Sequence, residues 1–492
     1  MSAFAELMAF QRDTEALGQI MQRLSWDQEA MMPRGAAGQR AEEMAALETV
    51  LHARRTDPRL ADWLAGAEAP DPAGARALEL IGKAHARATR IPARLAAEIA
   101  RATSLAQGVW AEARARDEPA LFLPRLAEVL SLKREEAAAL ADGTGPDALY
   151  DALLEDYEPE TSAAEIAALF DRMRPRLVAL RESILAQPPI PPLAGHFPRE
   201  AQRRLARLMA ESFGYDFTRG RIDEVVHPFC SGGGADVRIT TRTVEDDPFN
   251  CLYSTIHEAG HAAYEQGVDA AYRLTPLGRG TSMGVHESQA RFYENQLGRS
   301  RAFCLWLWER MQAEFGDMGL DGPDAFHATV NRVAPGYIRT EADEVQYNLH
   351  IMLRFDLERA LIAGDLTPTD LEAAWNDRFA HDFGHPVDRP SHGMLQDVHW
   401  SVGLFGYFPT YSLGNVYAGC LHAALRAELP DLDAHLARGD TSPATTWLQA
   451  RLQTHGALRP PRATIAHATG AEPDETPLLD YLEAKFGALH GL

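Results

Sequence analysis

The chain has 492 residues, 46% hydrophobic and 24% charged, with a formal net charge of −22. That length admits one large core or two to three domains. The balance is that of a soluble globular protein, and the acidic surplus argues against a nucleic-acid partner, whose phosphates demand basic patches. Cys230, Cys251, Cys304 and Cys420 are widely spaced with no C-x-x-C. They form neither a disulfide framework nor a cysteine zinc site and fit a reducing, cytoplasmic compartment. The N-terminus lacks a basic, then uninterrupted apolar, leader, so no signal peptide is expected. No run of about 18 apolar residues predicts a membrane span.

Residues 3–25 read as a helix with Phe4, Leu7, Met8, Leu17, Ile20, Met21 and Leu24 on one side. Trp26 to Pro33 is expected to break it. Helices follow over about 38–53, 74–89, 92–116 and 122–142, each rich in Ala, Leu, Arg and Glu with helical periodicity. Asp147 to Tyr157 reads as a connector, and Ser162-Ala-Ala-Glu165 as a capping box opening a helix that ends near Gln187. Pro188 to Pro192 is a proline-rich turn, and helix resumes over 198–213. In Asp236 to Arg242, Val237, Ile239 and Thr241 alternate with Arg238, Thr240 and Arg242, which predicts a half-buried strand. The preceding glycines, 232–234, read as a turn. Further helices are expected from His286, over 300–315, 325–333, 341–363 and 366–383, then over 416–455 and 476–488. Residues 403–414 are aromatic and glycine-rich and read as a flexible stretch. The expectation is a mainly α fold: a large helical body around a cleft, with a small β-sheet beside one central helix. It is read as a single unit over 1–492, with an N-terminal helical lobe over about 1–200 and a metal-binding, catalytic part over about 201–492.

That central helix carries His257-Glu-Ala-Gly-His261, an H-E-x-x-H pattern. Histidines four apart project from one helical face and can hold one Zn²⁺ at about 2.0–2.1 Å. Glu258 is then placed as general base toward a water on the metal. The flanks Cys251 to Ile256 and Ala262 to Tyr264 are apolar, so the helix is buried, and buried His and Glu need partners. A catalytic zinc takes a third protein ligand. By spacing, Glu287 and Glu294 are both candidates, and an acid complementing the helix dipole is the competing reading of Glu287.

The motifs in sequence resemble the carboxypeptidase Taq family of metallopeptidases, the M32 family. His227-Pro-Phe229 is similar to its HPF motif and Asp236-Val-Arg-Ile-Thr240 to DxRxT. The zinc motif follows, then His286-Glu-Ser-Gln289, Ile338-Arg-Thr-Glu-Ala-Asp343 and Gly393-Met-Leu-Gln-Asp-Val-His-Trp400. Upstream, Leu24 to Glu29, Met31 to Pro33 and Tyr150 to Pro159 look like the same family. The resemblance implies a largely helical body split by a long, deep active-site groove with the metal at its floor, and Glu287 as third ligand beside His257 and His261. It also implies Zn²⁺ with Co²⁺ as a working substitute, a homodimer, and peptide substrates with a free C-terminus shortened one residue at a time with broad specificity.

The chemistry adds further expectations. The oxyanion of amide hydrolysis needs donors besides the metal, and His399 and Tyr411 are the candidates, with Tyr407 a competitor. A terminal carboxylate is read by a guanidinium: Arg339 first, Arg238 second, each weighed against a structural ion pair. Asp343 and Glu341 are candidate carboxylates for orienting a ligand histidine. Two rivals share these features. A zinc endo-oligopeptidase would be indifferent to C-terminal amidation. A non-catalytic peptide-binding helical protein would have no need of Glu258.

Overall fold

The computed structural model describes residues 2–492. It is 68% helical, with 20 helices and one three-stranded sheet among the described residues. None of these helices is long and apolar enough to cross a membrane. The chain forms two compact units, each assembled from three separated segments. The first comprises Met1–Thr89, Pro191–Asn331 and Tyr417–Pro473, and the second Arg90–Ile190, Arg332–Val416 and Asp474–Leu492.

The first unit holds the sheet and the H-E-x-x-H helix. Strands β1 (Ile222–Glu224), β2 (Cys230–Gly233) and β3 (Asp236–Thr241) lie in the order β1-β3-β2. β1 runs parallel to β3, pairing Ile222 with Ile239, and β2 runs antiparallel, pairing Cys230 with the same residue. Of the glycines expected as a turn, Gly232 and Gly233 belong to β2 and pair with Val237 and Asp236, and Gly234 with Ala235 makes the hairpin turn. Val237 and Ile239 are buried as the alternation predicts and pack with Ala210, Tyr215 and Ala262. Thr240, expected on the open face, is also buried. The Phe229 backbone covers it: Thr240 Oγ1 donates to the Phe229 carbonyl at 2.9 Å and accepts from its N–H at 2.7 Å.

The H-E-x-x-H helix spans Pro248–Gly267, opened by the Asp247 carboxylate accepting from Phe249 N–H and by Pro248 in its first turn. Thr255 Oγ1 donates to Thr241 Oγ1 at 2.9 Å and so fixes the helix on β3. Its other side meets the helix Met283–Arg291 at Gly260. A Cβ added there would lie 2.6 Å from both the Ala290 Cα and the Gln289 carbonyl oxygen. Gly260 therefore sets how closely the Glu287 helix approaches the two histidines. Gly260→Ala would gain up to about 1 kcal/mol in helix propensity, but it overpacks backbone against backbone at a cost of about 1–3 kcal/mol. The steric term wins, and we expect a less stable protein with weakened metal binding, read by denaturant titration and chelator competition.

Several boundaries differ from expectation. The first helix continues through Trp26 to Ala30, with no breaker before Pro33. Residues 148–154 of the expected connector form a helix. The span expected as one helix over 416–455 is three, Pro409–Glu428, Leu432–Leu436 and Ser442–Arg451. Helices Arg59–Gly66 and Pro461–Thr469 were not anticipated. The Ser162–Glu165 capping box is present in both directions.

Candidate metal centre

Helical spacing puts His257 and His261 on one face, and the close approach at Gly260 brings Glu287 opposite them. Their donor atoms lie within 4.8 Å of one another. His257 Nε2 is 3.8 Å and His261 Nε2 3.6 Å from Glu287 Oε2. Ligands 2.0–2.1 Å from a tetrahedral ion sit about 3.3–3.4 Å apart, so small movements would complete the set. Two imidazole nitrogens and one carboxylate oxygen suit Zn²⁺ or Co²⁺ and leave positions open.

The other nitrogen of each ring is held. A carboxylate can only accept, so His257 Nδ1–H donates to Glu294 Oε2 at 2.9 Å, and Nε2 keeps its lone pair toward Glu287. Glu294, weighed above as a ligand, is thus the group that orients one. His261 reaches its carboxylate through a second imidazole. His286 Nε2–H donates to Glu265 Oε1 at 2.9 Å, which leaves His286 Nδ1 to accept from His261 Nδ1–H at 2.6 Å. Both rings therefore present Nε2 to the ion. Asp343 and Glu341 do not take the orienting role. Asp343 caps the helix Glu344–Ala363, accepting from Val345 and Gln346 N–H, and Glu341 is exposed.

Glu294 lies on a π-helix, Phe292–Gly298, directly after the Glu287 helix. The i to i+5 spacing of a π turn brings Arg299 beside it, 3.2 Å from Glu294 Oε1. Arg291 lies 3.3 Å from Oε2. Burial opposes ionisation of Glu294, but Arg291, His257 and Arg299 outweigh it and hold its pKa well below the ordinary carboxylate range. Burial likewise works against an imidazolium at His257, yet Glu287 and Glu294 raise its pKa. His261, buried beside His286, is well below its usual value. Burial pushes the Glu258 carboxyl up to about 7, against the pull of His257. Removing the Glu294 carboxylate should cost metal affinity about 10–100-fold while leaving the ligand set intact; Glu294→Ala in a chelator competition checks this.

The remaining expected residues occupy other elements. Arg238, in the first unit, donates Nε and Nη2 to the two oxygens of Asp236 at 2.8 and 3.0 Å. It lies 4.2 Å over the Trp26 ring, and Arg23 shares the same carboxylate at 3.0 Å. Arg339, in the second unit, is buried and donates Nε and Nη2 to Asp397 Oδ1 at 3.1 and 2.8 Å and Nη1 to the Tyr347 hydroxyl at 3.1 Å. Arg354, fully buried, donates Nε to Asp397 Oδ2 at 2.7 Å. The ion pairs weighed against both arginines are thus present. His399 and Tyr411 do meet: Nε2 lies 3.2 Å from the hydroxyl. His399 stacks on Phe408 with ring centres 4.3 Å apart. Its Nδ1 is buried without a hydrogen-bond partner. Burial, helped by Arg339 and Arg354 against Asp397, takes its pKa down to about 3, so the ring is neutral. The stretch expected to be flexible is built into hydrogen-bonded turns. Gly406 N–H donates to the buried Glu358 at 3.1 Å, and Tyr411 stands in the first turn of the helix Pro409–Glu428. Tyr407 packs edge-on to Tyr157 and Tyr411.

Sequence reasoning passed over Arg291, Arg299, His286 and Glu265. The i, i+4 spacing of Glu287 and Arg291 is a signal that could have found the first.

Comparison with known proteins bears on the same residues. The family model for Carboxypeptidase Taq (M32) metallopeptidase matches residues 6–486. The thermostable carboxypeptidase 1 of Thermus thermophilus is 43% identical over 507 aligned positions, covering 100% of this chain and 99% of that one. Carboxypeptidase 1 of Bacillus subtilis is 34% identical, covering 95% and 94%. The crystal structure of an M32 carboxypeptidase from Deinococcus radiodurans superposes with a TM-score of 0.96 at 36% identity, covering 100% of both chains. The chain belongs to the Carboxypeptidase Taq (M32) metallopeptidase family, and is a metallocarboxypeptidase.

Proposed function

We propose that the chain is a zinc-dependent carboxypeptidase that removes single residues from the C-termini of peptides with broad specificity. The observation that carries this reading is the ligand cluster: two Nε2 atoms within 3.6–3.8 Å of one Glu287 oxygen, beside a buried carboxyl on the same helix. When bound, Zn²⁺, or Co²⁺ in its place, polarises the scissile carbonyl and makes water nucleophilic at neutral pH. His257, His261 and Glu287 hold it. Glu258 would take the proton from the attacking water and return it to the leaving amine.

His399 and Tyr411 are the proposed oxyanion donors, supported by their mutual hydrogen bond and by the neutral state of His399. Arg339 is the proposed reader of the terminal carboxylate and Arg238 the second candidate. A guanidinium carries five N–H donors, and Arg339 spends three on Asp397 and Tyr347. Arg339 and Arg354 together outnumber Asp397, which leaves one positive charge for an anion. A homodimer acting on peptides with a free C-terminus, in the cytoplasm, completes the proposal. Four cysteines free of disulfides fit that compartment.

The test is metal exchange. Stripping the protein with a chelator should abolish release of free amino acids from a peptide. Zn²⁺ or Co²⁺ should restore it. Mg²⁺, which demands octahedral oxygen ligands, should not. Full activity in protein shown to be metal-free would overturn the proposal.

A further inference from the structure

We propose that Arg291 is a positioning residue that takes one oxygen of Glu287 out of the donor set, so that the third ligand offers the metal a single oxygen. This rests on the reading of Glu287 as the third ligand. The two oxygens of Glu287 have separate partners. Oε2 is the one facing the histidines, 3.8 Å from His257 Nε2 and 3.6 Å from His261 Nε2. Oε1 accepts from Arg291 Nε at 2.7 Å. A hydrogen bond between two ionised groups is short and strong. This one is well shielded, since the Arg291 and Glu287 side chains are only 14% and 8% exposed.

Arg291 is itself fixed. Its Nη1 is 3.3 Å from Glu294 Oε2, the oxygen that also accepts from His257 Nδ1 at 2.9 Å. One guanidinium therefore binds the carboxylate that would ligate the metal and the carboxylate that orients a ligand histidine. Glu287 and Arg291 are four residues apart on one helix, and Glu294 follows three residues later, so the backbone holds the three groups in register.

The consequence concerns coordination number. A carboxylate free at both oxygens can bind an ion bidentately and would fill a position that the reaction needs open. With Oε1 held by Arg291, His257, His261 and Glu287 present three donor atoms and no more. A surface i, i+4 pair would contribute little to the helix and nothing to the metal. The buried geometry, with Glu294 as second anchor, assigns Arg291 to the site instead.

The test uses Co²⁺-loaded full-length protein, because the visible absorption of Co²⁺ weakens as its coordination number rises. Arg291→Gln should lower the intensity of the visible bands and lower kcat with KM little changed. Arg291→Lys, which keeps the charge and one donor, should recover part of both. Co²⁺ affinity should fall by no more than about 10–100-fold, the range for groups acting behind a ligand. Should Arg291→Gln fail to fold, the spectrum of Arg291→Lys decides alone, with band intensity below wild type expected. Spectra identical to wild type in each variant that folds would overturn the proposal. Glu287→Ala is measured alongside. If it binds Co²⁺ as wild type does, the ligand assignment falls and takes the Arg291 role with it. If it loses Co²⁺ while the Arg291 variants keep the wild-type spectrum, only the role of Arg291 falls.

Discussion

Replacing Glu258 by glutamine is expected to lower kcat by about 10²–10⁴-fold, the range for a lost general acid–base group, while the protein still binds one metal ion. Glutamine keeps the size and one oxygen of the side chain but cannot take a proton. The ligand atoms of His257, His261 and Glu287 are untouched, so the metal content of the variant should match wild type. Stability moves in the opposite direction to activity. In metal-free protein the Glu258 carboxyl is raised from 4.5 to about 7 by burial. Such a group contributes stability below its unfolded pKa, and that contribution is lost as pH rises through the folded value. Metal-free Glu258→Gln should therefore lose less stability than wild type between about pH 4.5 and 7. A variant that turns over at the wild-type rate would show that the proton moves through another group. A variant that loses the metal would make Glu258 a ligand-positioning residue instead.

Asp397→Asn is expected to be the most destabilising single change in the second unit. Asp397 alone stands between Arg339 and Arg354, 2.8 and 2.6 Å away, and all three groups are largely out of water. A buried ion pair adds little to stability over an apolar replacement, but removing one partner leaves the other uncompensated at a cost of about 3–5 kcal/mol. Here two guanidinium groups lose their only shared counter-charge. Burial opposes the Asp397 carboxylate, but Arg339 and Arg354 overcome it and hold its pKa far below the ordinary range. Its contribution to stability is therefore present above the unfolded carboxylate pKa of about 3.9 and is lost only as pH falls toward the folded value. Denaturant titrations at neutral pH should show the full loss in Asp397→Asn. At strongly acid pH the gap between variant and wild type should narrow. An isosteric variant as stable as wild type at neutral pH would mean that the arginines do not depend on this charge.

How far the structure could be read from the sequence depended on the range of each signal. The capping box of Ser162 and Glu165 lies within four residues and reads directly. So does the pairing of His257 with His261, because helical spacing fixes it. Glu287 came from its motif, and its meeting with the histidines depends on the contact of two helices at Gly260, which no local pattern reveals. Glu294 was weighed as a ligand because spacing alone cannot separate a ligand from the carboxylate behind it, and the π turn that aligns it with Arg299 leaves no periodic trace. The first helix outran its expected end because Trp26 is held by Arg238 and Arg221, 4.2 and 5.2 Å over its ring. The long helix expected over 416–455 fails first after Glu428, at Pro430, and again near Gly439, which has φ +74° and where a Cβ would sit 2.4 Å from the Trp306 ring. Arg339 was singled out for its motif, but its partner Asp397 lies 58 residues away in a different motif. The two interleaved units are likewise assembled from contacts between distant segments.

The most direct measurement of the central claim is a mass-spectrometric time course on one peptide supplied in three forms: free, N-acetylated and C-amidated. The protein is loaded with Zn²⁺ or Co²⁺. A ladder of single-residue losses from the C-terminus, unaffected by acetylation and abolished by amidation, is the expected result. Internal cuts indifferent to both caps, or no cleavage with either metal, would contradict it.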